Sequence, residues 1–162
     1  MDRIGTALLT ELVREGRASH VSLSERIGLS PTACARRQRS LEDDGVITGY
    51  QAVLDLKKLG YSMTVMVRVS LDSQSEEALD EFERAVASCP SVLRCFLMSG
   101  SDDYVLIAAV RDIEDFEFVH KTQLSRLPRV MRLHSSFAIR EVINNPLPGF
   151  APGGSKPAQQ RR

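Results

Sequence analysis

Arg36, Arg37 and Arg39 put three guanidinium groups within four positions, and no acid stands between Ser30 and Leu41. A guanidinium fits phosphate oxygens bidentately, so a cluster of this kind suits a polyanion such as duplex DNA. A solvated helix face is the plainer alternative. Gly100, Ser101, Asp102, Asp103 and Tyr104 form a second candidate. Glycine permits a backbone conformation that exposes N–H groups to a carboxylate, and Asp102 or Asp103 offers an acceptor to an ammonium group. The same residues also make an ordinary turn between two strands. Adjacent carboxylates raise the question of acid–base catalysis, but His20, His120 and His134 fall in a predicted loop, helix and strand, and no nucleophile joins them. The expectation is a binding protein rather than an enzyme, with no metal and no cofactor.

The charge balance limits the partners. Twenty-one basic and 21 acidic residues cancel over 162 positions, so attraction to a polyanion must come from local arrangement. Residues 61–140 hold nine basic and twelve acidic residues, which makes the second half mildly acidic. Cys34, Cys89 and Cys95 are odd in number and lack C-x-x-C spacing, so reduced, buried thiols and a cytoplasmic location are expected. The start, MDRIGTALL, lacks the basic and apolar regions of a secretory signal, and no apolar run reaches the length of a membrane span.

The elements that must position these residues follow from hydrophobic period. Ile4, Leu8 and Leu12 mark a first helix behind Asp2 that ends near Gly16. A short second helix is predicted with Ser22 as its cap and Gly28 as its stop. A third has Ser30 as N-cap, Pro31 at its first position and Gly45 as terminator. Two helices joined by Gly28-Leu29-Ser30 make a helix-turn-helix. On the third helix, Cys34, Gln38 and Leu41 face inward. Arg36 lies opposite, flanked by Thr32 and Arg39 on one side and by Ala33 and Ser40 on the other. Small residues in the first turn let such a helix enter a DNA groove, and the cations behind them meet phosphates. VITGYQAVLD then suggests a small strand or wing, and residues 53–60 a linker.

From Tyr61 the period becomes two. Met63, Val65, Val67, Val69 and Leu71 predict a half-buried strand. Ser73 and Glu76 suggest a capping box for a helix carrying Leu79, Phe82 and Val86. VLRCFLMS and YVLIAAV are two more strands. Asp112 opens a helix with Ile113, Phe116, Leu124 and Leu127 on one side, and VMRLHSSFAIREV is a last strand with Leu133, Phe137 and Ile139 on one face. The class is α+β: a winged-type helix-turn-helix domain over residues 1–52, then a ferredoxin-like βαββαβ domain over 61–144. Two helices cover only one face of that sheet, so apolar groups such as Met66 and Cys95 on the other call for self-association. Residues 145–162, rich in Pro and Gly, read as a disordered tail.

LSPTACARRQRSLEDDGVITGYQAVLDLKKLGY, MSGSDDYVLIAAV and LSRLPRV together resemble the Lrp/AsnC family of regulators over about residues 2 to 143. The resemblance implies a prokaryotic, cytoplasmic, nucleoid-associated protein that binds palindromic promoter sites. It also implies dimers joined into tetramers or octamers, and an amino-acid effector. DNA contacts are expected from Ser30, Pro31, Thr32, Ala33, Arg36, Arg37, Arg39 and Ser40. Effector contacts are expected from Gly100, Ser101, Asp102, Asp103 and Tyr104, with Ser135, Ser136 and Ala138 of the last strand. Three departures stand out: Gln38 where the family usually has an apolar residue, Ser40 in place of a common basic residue, and Ser101 in the variable part of the glycine loop. The competing function is an architectural DNA-binding protein without an effector. An enzyme subunit would leave the helix-turn-helix unexplained.

Overall fold

A computed structural model of the chain describes residues 1–148. The expected tail from 145 therefore lies mostly outside the described residues. Two compact units are present, one built on Met1–Val53 and the other on Leu54–Glu141.

The first unit has three helices: α1 (Arg3–Arg14), α2 (His20–Ile27) and α3 (Pro31–Asp43). Each begins on a side chain that accepts an otherwise orphaned amide: Asp2 from Gly5, Ser19 from Ser22 and Ser30 from Ala33. The cap of α2 is thus Ser19 and not Ser22, whose own amide is the donor. His20 consequently opens a helix and is not a loop residue. Gly28 adopts φ 72°, and the amides of Gly28 and Leu29 both return to the Ser24 carbonyl, which ends α2 and turns the chain into α3. Leu8, Leu12, Leu23, Cys34 and Leu41 form the core. Val46–Leu54 forms no strand. Tyr50, Val53 and Leu54 stay exposed there, so the small strand expected from its apolar runs is absent from the described residues.

The second unit contains β1 (Met63–Leu71), α4 (Glu76–Val86), β2 (Val92–Leu97), β3 (Tyr104–Val110), α5 (Ile113–Thr122) and β4 (Val130–Phe137). The antiparallel sheet has order β2-β3-β1-β4, as expected of the ferredoxin-like arrangement. Val65, Val67, Val69 and Leu71 of β1 face the helices with Tyr104, Leu106 and Val110 of β3, and Phe82, Val86 and Val119 pack onto them. Some details differ from the sequence expectation. Ser75, not Ser73, caps α4, because Ser75 receives the Ala78 amide while Ser73 holds that of Ser75. Ile113 is exposed and Val119 is buried instead, while Leu124 sits in a 3₁₀ turn after α5. Ile139 lies past the end of β4 and is fully exposed.

Register assigns the open face. Residues directly opposite one another share a face, so Thr64, Met66 and Arg68 of β1 lie with Ala109, Ile107 and Val105 of β3 and with Ser136 and His134 of β4. Phe96 joins them from β2 through its pairing with Val105. Cys95 pairs with the buried Leu106 and belongs to the helix side, contrary to its expected place on the open face. It is nevertheless exposed, at the margin of the sheet, whereas Cys34 is buried as expected.

Candidate functional site

Helix α3 carries the arginines at two different levels of engagement. Arg36 and Arg39 are exposed and enter no ion pair among the described residues. Arg37 is half-buried, and its guanidinium is bound to the Asp2 carboxylate at the start of α1. The Gly5 amide, and after it Arg37, hold Asp2 below the ordinary carboxylate range. Two free cations, not three, therefore face outward. Arg36 is the ridge between two grooves. One, of about 710 Å³, is lined by Thr32, Arg36, Gln38 and Arg39 with His20 and Glu42. The other, of about 350 Å³, is lined by Ala33, Arg37 and Ser40 with Asp2, Ile4 and Leu29. Ser30, Pro31 and Thr32 are exposed at the leading end, as a helix inserted N-terminus first requires. Ser40 is turned along its own helix, its hydroxyl 3.4 Å from Asp44.

Gln38, the polar member of an apolar stripe, finds partners at the surface. Its side-chain amide donates to Tyr50 Oη at 2.7 Å and to Glu42 Oε1 at 3.1 Å, and its carbonyl lies 3.2 Å from His20 Nε2. Tyr50 Oη in turn donates to Glu42 Oε1 at 2.6 Å. Sequence reasoning weighed His20 only as a catalytic group and did not single out Tyr50. The one signal available was the presence of a polar residue on the inward stripe, which requires a donor and acceptor nearby.

The glycine loop is differently organised from its expectation. Gly100 has φ 141°, a conformation open to glycine and strained for residues with a Cβ, although a Cβ here would meet nothing. Gly100 and Ser101 are exposed, and Asp102 lies 3.9 Å from Arg68 on the open face of the sheet. Asp103 is buried and fully used: Oδ2 accepts the Leu71 amide and Oδ1 the Gln74 side chain, both at 2.7 Å, while its own amide donates to Val69. The cause is that β1 outruns β3. Tyr104 is the first residue of β3 and pairs with Val69, so the turn removes the carbonyl that Leu71 would otherwise meet, and the Asp103 side chain replaces it. Tyr104 points the other way, stacked on Phe82 with its hydroxyl donating to Glu83 at 2.7 Å. Burial, and after it that hydrogen bond, raises its pKa.

Alternation also separates the predicted strand residues. Ser136 lies opposite Met66 on the open face, but Ser135 lies opposite Val67 on the helix side. Ala138 donates to the carbonyl of Thr64, four residues along β1 from Arg68, or about 13 Å at the strand rise. Asp102 and Ala138 therefore do not converge within one chain. His20, His120 and His134 do not meet either, and no group of three metal-ligating side chains forms among the described residues.

Comparison with known proteins agrees with this arrangement. Residues 1–48 match a winged helix-turn-helix DNA-binding model, and residues 64–148 match the Lrp/AsnC ligand binding domain. The chain is 37% identical over 143 residues to the Bkd operon transcriptional regulator of Pseudomonas aeruginosa, covering 88% of this chain and 94% of that one. It is 37% identical over 142 residues to the leucine-responsive regulatory protein of Escherichia coli, covering 88% and 87%. Among solved structures, a transcriptional regulator of Neisseria meningitidis in complex with L-methionine superposes with TM-score 0.85 at 32% identity, covering 94% of this chain and 96% of that one. An AsnC family regulator from Agrobacterium tumefaciens gives TM-score 0.86 at 31% identity, with 91% and 95% covered. The matches cover both halves in one continuous order, and the chain belongs to the Lrp/AsnC family of transcriptional regulators, DNA-binding proteins and not enzymes.

Proposed function

We propose that the protein binds duplex promoter DNA through the outer face of α3 and changes its assembly and DNA affinity when an amino acid or related metabolite binds the second domain. The observation that carries the DNA contact is the pair of unpaired guanidinium groups, Arg36 and Arg39, on the exposed side of the second helix of a helix-turn-helix. Thr32 and Ala33, with Ser30 and Pro31 at the helix start, take the positions nearest the bases; Arg36 and Arg39 hold phosphates. Arg37 and Ser40 have lesser parts, being engaged with Asp2 and Asp44.

Self-association follows from the open sheet face, where Met66 and Phe96 are roughly half exposed beside Val105 and Ile107. A dimer formed there brings two recognition helices to a twofold DNA site, and larger assemblies such as tetramers or octamers follow if dimers associate. The effector site is shared between copies, because Asp102 and Ala138 are too far apart to grip one small molecule in a single chain. Gly100, Ser101 and Asp102 supply one side, and Ser136 and Ala138 of another copy the other. Asp103, Tyr104 and Ser135 support that site and do not line it. The Neisseria meningitidis regulator bound to L-methionine favours an effector-responsive protein over a purely architectural one. The working place is the cytoplasm, on the nucleoid.

The test is a salt series of DNA binding with Arg36→Ala and Arg39→Ala. Each variant should lower the slope of log affinity against log salt by about one phosphate contact. Two variants that bind with the affinity and slope of the parent refute the assignment of α3. An amino-acid panel tested by calorimetry on the intact chain decides the effector.

A further inference from the structure

The side-chain network behind α3 runs in one direction. Gln38 gives both amide protons away, to Tyr50 Oη and to Glu42 Oε1, so its carbonyl is an acceptor and the His20 Nε2 facing it carries the proton. Tyr50 passes its own proton to Glu42. Two donors thus end on one carboxylate oxygen, and the chain of bonds polarises toward it. These contacts tie the segment after α3, through Tyr50, to the last two turns of the recognition helix and to the start of α2.

Glu42 occupies a sensitive place. It lines the same groove as Arg36 and Arg39. On a helix, residues three apart are neighbours, and Arg39 precedes Glu42 by three. An unrestrained Glu42 would therefore pair with Arg39 and neutralise half of the free positive charge on the DNA-binding face. In this structure it does not. Glu42 is bonded to Tyr50 and Gln38, and Arg39 enters no ion pair.

We propose that Gln38 and Tyr50 are positioning residues of the DNA-binding face: they hold the Glu42 carboxylate to themselves and so leave the Arg39 guanidinium free for a phosphate. The inference rests on the DNA-binding reading of α3. The hydrogen bond from Tyr50, and after it that from Gln38, keeps Glu42 below the ordinary carboxylate range, and Arg39 adds a smaller attraction that stops short of an ion pair while the two bonds hold the carboxylate. Gln38 acquires a reason for standing on an apolar stripe. A hydrophobic side chain there would fill the space but could not restrain Glu42.

The experiment measures binding of the full-length protein to a labelled mixed-sequence duplex across a salt series, for the parent, Arg39→Ala, Tyr50→Phe, Gln38→Leu, Glu42→Gln and the double variant Tyr50→Phe/Glu42→Gln. Phosphate contacts do not need an operator sequence. Tyr50→Phe and Gln38→Leu should each show a shallower salt slope, by up to about one contact, which changes affinity by about 3-fold over a fourfold change in salt. Their melting temperatures should stay near that of the parent. In the Glu42→Gln background, where the Glu42 carboxylate can no longer pair with Arg39 and Asp43 is the same in both members of the comparison, Tyr50→Phe should have no effect on binding. A purely structural Tyr50 would weaken binding equally in both backgrounds, and that result overturns the proposal. So does a parent slope retained in Tyr50→Phe while Arg39→Ala lowers it, and this outcome leaves the DNA-binding reading standing. If the parent does not bind the duplex, or Arg39→Ala leaves the slope unchanged, the reading of α3 and this inference fall together.

Discussion

Asp103→Ala offers a sharp test of how the second domain is held together. The substitution removes a carboxylate that accepts two hydrogen bonds of 2.7 Å from within a buried setting. The Leu71 amide suffers most. It is buried, β3 has already turned away, and without Asp103 it has no acceptor on that side, at a cost of about 1.5–3 kcal/mol. Gln74 is exposed and can turn to water, which adds no more than about 1 kcal/mol. The sum is about 1.5–4 kcal/mol, or a fall of roughly 8–20 °C in melting temperature for a domain of this size. Asp103→Asn is the control. It keeps an oxygen for Leu71, and Gln74 can reverse its amide to meet the new donor, so its loss should stay below about 1 kcal/mol. Thermal and urea unfolding followed by circular dichroism decide the matter. An alanine variant that melts with the parent, or with the asparagine variant, refutes the argument. The same reasoning disqualifies Asp103→Ala as a clean probe of effector binding, a role for which the half-buried Asp102, which accepts no backbone amide among the described residues, is better suited.

Three further outcomes are expected. Phe96→Asp puts a charge on the open sheet face, on its edge strand β2, and should shift the light-scattering mass toward the 18.0 kDa of a single chain; an unchanged mass would move the interface elsewhere. Gly100→Val should cost about 1–3 kcal/mol in urea unfolding through its φ of 141°, and Gly100→Ala nearly as much, since no neighbour crowds the added carbon; a large gap between the two would show that space and not backbone is the constraint. The folded pKa of Asp2 is depressed, so its contribution is present above the ordinary value of 3.8 and is lost as pH falls through the lowered one. Melting curves of the parent and Asp2→Ala should accordingly differ at neutral pH and converge in strong acid, and a constant gap would sink this account.

Much of the architecture is legible because it depends on period and punctuation. The alternation from Met63 to Leu71 and the triplet Gly28-Leu29-Ser30 each specify one local geometry, and the chain has it. Errors arise where several residues could serve. Ser19 and Ser22 both stand near the start of α2, as do Ser73 and Ser75 near that of α4, and which hydroxyl meets an amide depends on where the first turn closes. The site was legible to a smaller extent. Arg36 and Arg39 are placed by helix geometry alone, but the capture of Arg37 depends on Asp2, 35 residues away. Asp102 and Asp103 are indistinguishable as letters, and only the unequal lengths of β1 and β3 send one to the surface and the other to the Leu71 amide. Adjacent Ser135 and Ser136 likewise part because a strand alternates.

The register of β1 against β4 has a consequence for which changes of length the sheet can absorb. Ser70 faces Arg132, but Leu71 faces Val130, so the ladder skips Met131, which is exposed. A deletion inside a strand ordinarily turns every later side chain inside out. Here the surplus residue already performs that inversion: Val130 and Leu133, three apart, both pack against the core. A chain shortened by Met131 alone would restore an even ladder with Val130, Arg132 and Leu133 each on its present side. Removal of Arg132 or Leu133 would instead discard a residue whose side is already assigned. Tolerance to single-residue deletion along β4 should thus be concentrated at one position, and the length of this edge is free to vary only there.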